Sequence, residues 1–455
     1  MRRSIGLAVA GIVAWVVVFF GLGLYAPVAV AVPLFARKTG FACSACHEVW
    51  PRLNDFGQNF RDRGYRLKRD RDIPVEQDPA YWPLAFRTTA GYQFVRQAMV
   101  PTNAGPITTN TGTFGFTGLD IWVAGTLGDK LSFAITYTPG LVGAGFQLGN
   151  NAGSSDLETA WIGIQDIGVE GWVNLRVGKH ALDLPIDEHR QITLTSGYNA
   201  YHFQPANSAV SFSPGDNQAG VELSGHSDLS RVRYSVSLVN ERDAPYFSNN
   251  VVSNPVVWGH LTGQQLIDSS ILVSVKGGIF GSVGWHPIGV SLLTPLNPDG
   301  TAAGPAAQVQ GSGNNHKKHY NYGAEAHLRL LSNSNPLTIS GVLWGGQQDA
   351  ELGGPTATQD AKWLGAFIEG VYTYNPRLSL IARYERIRTT QASDPLSFQP
   401  GGDLTSFTGA IRHTFELSSR TEAALQLEMT KSSSTAADGT VPSTYTGLIA
   451  FDFTM

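Results

Sequence analysis

Cys43, Cys46 and His47 are the residues whose types and spacing could do the most specific chemistry in this chain. They lie in the stretch 40–50, GFACSACHEVW, and the two cysteines are the only ones among 455 residues. Two thiols about one helical turn apart can add to the two vinyl groups of a porphyrin, and the histidine that follows places an imidazole on the iron. This pentapeptide is the attachment signature of c-type haem. It predicts one covalently bound haem c, with His47 as the proximal ligand of the iron.

Two other chemistries compete for the same residues. A structural zinc site needs four nitrogen or sulfur ligands, and the chain has no second cysteine pair, so zinc would have to recruit distant histidines. A thioredoxin-like redox pair needs a βαβ context, whereas the segment that follows is short, basic and compatible with a helix. Haem attachment therefore remains the prediction.

Apolar and aromatic residues flank the motif in sufficient number to enclose one porphyrin. They are Phe35, Phe41, Trp50, Leu53, Phe56, Phe60 and Tyr65. The plainer interpretation is that they form the core of a small helical segment, which does not exclude contact with haem. The basic residues between Arg52 and Arg71 indicate a solvated face, or charges turned towards haem propionates or an acidic lumen.

The N-terminus has the form of an export signal. Arg2 and Arg3 precede an apolar run from Ile5 to Leu24, and the small-residue sequence AVA at 29–31 fits a cleavage site. We predict a signal peptide over residues 1–31 and a mature chain that begins at Val32. An uncleaved membrane anchor is the alternative. In both cases the rest of the chain is exported, where cysteines usually form disulfides, so a lone pair followed by histidine points again to haem.

Composition limits the remaining function classes. The net charge of −4 gives no basic footprint for nucleic acid. Beyond the first 35 residues no apolar run approaches the roughly 20 residues of a membrane-spanning helix. Any further membrane crossing must therefore use strands.

From about residue 82 onwards, apolar and polar residues alternate with a period of two. In 231–240, RVRYSVSLVN, the side chains of Val232, Val236 and Leu238 share one face, and arginines and serines share the other. The same pattern recurs in 375–386 and 421–430. Each strand thus has an apolar face and a polar face, and the polar face carries arginine and glutamate in mid-strand.

Short and long connections alternate between these strands. Short turns are predicted at 127–130, 166–171, 226–231, 332–336, 375–377 and 417–420. Long polar connections are predicted at 98–111, 139–156, 180–216, 240–269, 293–316, 347–361, 389–404 and 432–442, with 270–292 counted as a pair of strands. The count of about 16 strands predicts an all-β fold, a transmembrane antiparallel barrel over residues 81–455 whose two chain ends lie on the short-turn, periplasmic side. A soluble sandwich or propeller is the alternative, although mid-strand charges suit a water-filled lumen better.

The segment around the motif resembles the fused outer-membrane cytochrome-porins, best known as iron oxidases of iron-oxidising bacteria. The matching residues are Phe35, Ala36, Arg37, Thr39, Gly40, Cys43, Cys46, His47, Pro51, Leu53, Phe56, Gly57, Phe60, Gly64 and Tyr65. The close resemblance covers about the first 35 residues of the mature chain, and the remainder is similar in architecture. Lys38, in place of an amide, and the terminal Met455, in place of an aromatic residue, depart from the pattern.

The resemblance implies a small α-helical monohaem cytochrome segment over residues 32–80, tucked into the lumen of an outer-membrane barrel. It further implies an electron conduit that oxidises an extracellular donor, Fe(II), one electron at a time. The electron would leave to a periplasmic c-type cytochrome or another acceptor. Two further classes stay open: a diffusion porin whose haem segment is a gate or sensor, and an electron exporter or peroxide-reacting haem protein.

Residues for donor binding and for the sixth ligand of the iron are less sharply indicated. His316 and His319 end a long connection predicted to be an extracellular loop, and another such loop contains Asp183, Asp187, Glu188 and His189. Carboxylates and imidazoles suit iron, but exposed loops are polar for general reasons. The candidates for the sixth ligand are Met99, His180, His189 and His202, with an open or water-bound position as the alternative.

Overall fold

The computed structural model describes most of the chain outside the N-terminus and parts of the long connections. The described residues are 34–67, 83–100, 105–116, 119–139, 156–195, 197–205, 208, 210, 212–241, 255–267, 269–287, 291–293, 307–309, 316–331, 335–353, 359–375, 377–390, 403–418, 421–435 and 441–454. The predicted signal peptide lies outside the described residues. So do residues 68–82, which lead from the predicted cytochrome segment to the barrel.

The described strands from residue 84 onwards close into an antiparallel barrel. They are β3 (Leu84–Val100), β4 (Ile107–Phe116), β5 (Asp120–Leu127), β6 (Leu131–Thr138), β7 (Asp156–Ile164), β8 (Asn174–Ala181), β9 (Asn217–His226), β10 (Val232–Asn240), β11 (Pro255–Leu266), β12 (Leu272–Pro287), β15 (His316–Leu330), β16 (Leu337–Gln348), β17 (Ala361–Asn375), β18 (Leu378–Thr389), β19 (Leu404–Ser418), β20 (Thr421–Ser434) and β21 (Ser443–Thr454). A small separate sheet pairs β13 (Ser291–Leu293) with β14 (Ala307–Val309).

Sixteen positions around the barrel are filled by these seventeen strands, because β4 and β5 act as two halves of one strand. Phe116 at the end of β4 pairs with Ala90, and Asp120 at the start of β5 pairs with Arg87, so both halves follow the single long strand β3. The barrel closes where β21 pairs with β3. The predicted barrel of about 16 antiparallel strands is thus confirmed over the described residues.

Alternation along each strand separates an apolar exterior from a polar interior. On β17, Leu364 and Ile368 are about half exposed on the outer face, whereas Phe367 and Glu369 are buried inside. On β18, Tyr384 faces outwards while Arg383 and Glu385 are buried. An apolar outer belt around a polar lumen is the arrangement of a bacterial outer-membrane barrel, whose outer face contacts lipid.

The connections follow the predicted short–long alternation with one correction. Residues 240–269, predicted as a single long connection, contain β11, and 270–292, predicted as a pair of strands, holds the one long strand β12. Gly277 and Gly278 form a Gly-Gly dipeptide, which is typical of turns. Here both glycines lie within the ladders to β11 and β15.

The N-terminal segment for which haem attachment is predicted consists of short elements over residues 34–67, and we call it the haem segment for that prediction. They are α1 (Leu34–Thr39), α2 (Cys43–Cys46), β1 (His47–Val49), β2 (Arg52–Leu53) and α3 (Asp55–Asp62). Short 3-10 turns occur at Glu188–Arg190, Asp228–Ser230 and Ala350–Gly353, and α4 covers Asn199–His202. Within the described ranges, no helix is both long and apolar enough to cross a membrane.

The described residues of the long connection between β8 and β9, within 182–216, turn back into the barrel, and we call them the inserted loop. Its Tyr198 and Tyr201 are fully buried and pack on Phe367 and Trp344 of the wall. Wall carboxylates hold its backbone: Glu385 accepts hydrogen bonds from the amides of Asn199 and Ala200 at 3.1 and 2.7 Å. The inserted loop and the wall therefore form a packed core inside the lumen.

Candidate functional site

The predicted attachment residues lie on one tight turn. Cys43–Cys46 form the single helical turn α2, and His47 leaves it in an extended conformation. The Nδ1 atom of His47 donates a hydrogen bond to the Pro51 carbonyl at 3.1 Å. A histidine whose Nδ1–H is held by a carbonyl presents its Nε2 lone pair for coordination.

Helix α3 buttresses this turn at close range. Asn54 caps α3 by accepting from the Gly57 amide at 2.9 Å, and its own side-chain amide donates to the Ala45 carbonyl at 3.0 Å. The Asn54 backbone amide also donates to Cys46 O at 3.0 Å. A Cβ added to Gly57 would lie 2.1 Å from that same carbonyl oxygen, so a side chain there would force the two elements apart.

A cavity of about 520 Å³ opens beside the turn and is lined by Cys43, Cys46 and His47. Its volume lies within the roughly 300–1,000 Å³ of cofactor and ligand sites. All seven flanking residues predicted to enclose a porphyrin line it: Phe35, Phe41, Trp50, Leu53, Phe56, Phe60 and Tyr65. The haem segment therefore supplies one apolar wall of a cofactor-sized space.

The barrel and the inserted loop supply the remaining walls. Trp122, Trp161, Arg87 and Arg176 come from the strands, and residues 187–191 come from the inserted loop. Apart from the period of two, no sequence pattern singles out the two tryptophans as site residues. They join the site through the packing of the haem segment, since Tyr65 stacks on Trp161 with ring centroids 6.2 Å apart.

Burial and charge favour the neutral forms of the His47 imidazole and the Cys46 thiol. Burial, reinforced by the positive charge of Arg190, lowers the pKa of His47 to about 4. Burial also raises the pKa of the Cys46 thiol. His47 is therefore an unprotonated nitrogen donor near neutral pH.

Ion pairs fix the haem segment to the barrel. Arg52 contacts Glu369 of β17 at 3.0 Å, and Asp62 contacts Arg233 of β10 at 2.8 Å. At the short-turn end, Arg63 reaches Asp228 at 2.9 Å. These arginines of the basic run thus face acidic groups of the barrel, which is one of the alternatives left open by the sequence.

The carboxylates expected in an extracellular donor loop lie inside the lumen instead. Asp183 pairs with Arg233 at 2.7 Å and with His260 at 2.9 Å. Asp187 pairs with Arg61 at 3.2 Å. The loop that carries them folds inwards because their basic partners lie there: Arg233 and His260 on the barrel wall, and Arg61 on helix Asp55–Asp62. The expectation of outward-facing ligands is therefore wrong for these residues.

Two other predicted donor residues also occupy closed positions. Glu188 lies 2.7 Å from Nε2 of His202, and His319 is a buried lumen residue of β15. Among the described residues, no group of three or more histidine, cysteine, aspartate or glutamate side chains is arranged to hold a metal ion.

The four candidates for the sixth ligand differ in their position relative to the cavity that contains His47. Met99 is half exposed near the loop end of β3, and His180 is fully buried with Nδ1 donating to Gly178 O at 2.9 Å. His202 is held between Glu188 and Ser213. His189 alone of the four lines the cavity that contains His47.

No protein-family model and no curated protein matches the chain. Among solved structures, a loop L8 deletion mutant of OmpT, an outer membrane protein of Vibrio cholerae, matches at 10% identity and TM-score 0.46, over 82% of this chain and 99% of that one. OprB of Pseudomonas putida matches at 9% identity and TM-score 0.46, over 82% and 94%. The outer membrane channel DcaP of Acinetobacter baumannii matches at 10% identity and TM-score 0.46, over 82% and 96%. The assignment of the barrel rests on the strand pairing of this chain itself.

Proposed function

We propose that this chain is an outer-membrane electron conduit that carries single electrons from an extracellular donor, Fe(II), to a periplasmic acceptor such as a c-type cytochrome. The observation that carries the proposal is the placement of Cys43, Cys46 and His47 on a cavity of about 520 Å³ inside the barrel. The resemblance of the segment 35–65 to cytochrome-porins supports Fe(II) as the substrate.

The residues present fit a c-type haem. Cys43 and Cys46 lie on one turn for two thioether links, and His47 has Nε2 left for the iron. When bound, a c-type haem supplies a one-electron redox centre.

The protein's own part is to hold that centre in a fixed place. Trp50, Phe60 and Trp122 line the cavity with apolar surface, which limits water and tunes the potential of a bound metal centre. The Pro51 carbonyl fixes the tautomer of His47. The ion pair of Arg52 with Glu369 fixes the depth of the segment in the barrel.

The contacts of the haem segment support access for a periplasmic electron carrier. It contacts the short-turn end of the barrel, through Arg63 to Asp228, and short turns of such barrels face the periplasm. The start of β3 and the end of β21 lie at the same end, because Arg87 pairs with Thr454. In the net reaction, Fe(II) outside loses one electron to become Fe(III), and the periplasmic carrier gains that electron.

A diffusion porin with a haem-bearing gate is the second candidate, because barrels of 16 strands commonly enclose an aqueous channel. The packing of the described part of the lumen argues against a wide, open channel. Trp258, Trp344, Tyr198 and Tyr201 are almost fully buried in one cluster inside it. Packed aromatic side chains leave little space for hydrated solutes.

Anaerobic stopped-flow spectroscopy of the detergent-extracted protein tests the proposal. On mixing with Fe(II), the haem bands should shift to the reduced form, and added oxidised cytochrome c should reverse the shift. The matched control, Cys43→Ala with Cys46→Ala, should carry no haem after denaturation and show no bands. Absence of covalent haem from the wild type, or bands that Fe(II) leaves oxidised, would reject the proposal, and a large steady ion current would favour the porin.

A further inference from the structure

The cavity receives histidines from two different elements. Among its lining residues in the described part of the chain, His47 comes from the haem segment and His189 from the inserted loop, and none is methionine or lysine. Haem iron takes its protein ligands mainly from histidine, methionine, cysteine and tyrosine. Tyr65 also lines the cavity, but its ring is stacked on Phe35 with centroids 4.6 Å apart.

Asp187 holds His189 in a defined orientation. Asp187 is the N-cap of the 3-10 turn Glu188–Arg190. Its Oδ1 accepts a hydrogen bond from the His189 amide at 3.1 Å. The same oxygen lies 3.5 Å from Nδ1 of the His189 ring. A carboxylate beside Nδ1 orients a ligand imidazole and leaves Nε2 for the metal, as the Pro51 carbonyl does for His47.

The position of Asp187 is itself tied to the haem segment. Arg61 on α3 contacts Asp187 at 3.2 Å, and Arg190 contacts the same carboxylate oxygen at 3.1 Å. Helix α3 also packs on the attachment turn through Gly57. One chain of contacts therefore runs from Cys46 through α3 and Asp187 to His189.

Resting on the proposed function, we infer that Nε2 of His189 is the second axial ligand of the haem iron, which makes the site bis-histidine. Both axial positions are then filled by the protein. Such iron has no open position for peroxide or for direct coordination of an iron substrate. Electrons must enter and leave through the porphyrin edge, which suits a relay and disfavours a peroxide-reacting enzyme.

Spin state is the readout that tests the inference independently of turnover. Electron paramagnetic resonance of the ferric wild type should show a low-spin signal, and His189→Ala should convert it to high spin. The ferrous variant should also bind CO, and added imidazole should restore the low-spin signal. His319→Gln, which removes a lumen histidine outside the cavity, should leave the spectrum unchanged. His189→Met should stay low-spin with a higher midpoint potential, because methionine ligation raises it.

The outcomes separate the two proposals. A wild type without covalent haem rejects the proposed function. A wild type that carries covalent haem but is high-spin, or a His189→Ala variant that stays low-spin, rejects only the role of His189. If His189→Ala loses its haem, His189→Met decides: a raised potential supports the ligand, and an unchanged potential overturns it.

Discussion

Gly57 is the residue at which α3 approaches the Cys-x-x-Cys-His turn most closely. We expect Gly57→Ala to lower the amount of covalently attached haem, because the new Cβ would lie 2.1 Å from Cys46 O. Overpacking of this kind costs about 1–3 kcal/mol. Helix propensity would favour the alanine by only about 1 kcal/mol, so a loss would reflect the clash. The haem-to-polypeptide ratio, measured as the pyridine complex, is the readout.

Gly259→Ala is the matched control for this change. A Cβ at Gly259 meets no atom within 4 Å, so haem content should equal that of the wild type. Full haem occupancy in Gly57→Ala would show that the attachment turn does not need the close packing of α3.

At the same scale, the sequence predicted the chemistry of the site but not its supports. Cys43, Cys46 and His47 were identifiable because covalent haem attachment needs those residue types at that spacing. The acceptor for His47 is a backbone carbonyl, that of Pro51, and any residue supplies such a group. Side-chain identity therefore gave no sign of it.

Among the elements, the inserted loop depends on buried charges, and Asp183 joins three parts of the molecule. Its carboxylate contacts Arg233 of β10 and His260 of β11, and Arg233 also contacts Asp62 of the haem segment. Burial alone would raise the pKa of Asp183, but Arg233 and His260 hold that pKa well below its usual range. A depressed carboxyl pKa adds stability above the unfolded value of about 3.9, and this contribution is lost as the pH falls further.

We therefore expect Asp183→Asn to lower the guanidinium unfolding midpoint at pH 7. Breaking a buried pair and leaving a lone charge costs about 3–5 kcal/mol. The loss here should be smaller, because Arg233 keeps Asp62 and His260 keeps Glu325 as partners. The difference in stability from the wild type should narrow when the pH falls from about 4 towards 2, because the Asp183 carboxyl protonates there in the unfolded chain and so favours unfolding of the wild type. Unfolding curves in detergent at pH 7, 5, 3 and 2 measure both effects.

Asp129→Asn provides the control, since it removes the same charge from an exposed turn. It should leave the midpoint nearly unchanged at every pH. The unfolding midpoints of Asp183→Asn and the wild type could instead differ by the same amount at every pH down to 2. That result would contradict the assigned role of the Asp183 carboxylate.

For the whole molecule, the strand pattern was predictable and the filling of the lumen was not. Alternation with period two reports which side chains face lipid, because each strand crosses the same apolar layer. The inserted loop looked like any exposed polar connection, since its carboxylates find their partners on strands far away in sequence. Glu369 shows the reason: it accepts from Arg52 of the haem segment and from the Tyr198 hydroxyl of the inserted loop, at 3.0 and 2.9 Å.

If the packed lumen closes the barrel to solutes, loosening the inserted loop should open it. Glu385 accepts from the amides of Asn199 and Ala200, and Glu428 accepts from those of Leu194 and Thr195. We expect the double variant Glu385→Ala with Glu428→Ala to conduct ions in planar bilayers, because the loop backbone loses these acceptors while the wall stays intact. The wild type should conduct little.

The adjacent outward-facing pair, Tyr384→Ala with Leu427→Ala, is the control and should behave as the wild type. Equal conductance in all three proteins would mean that the inserted loop does not close the lumen, and the porin interpretation would then gain support.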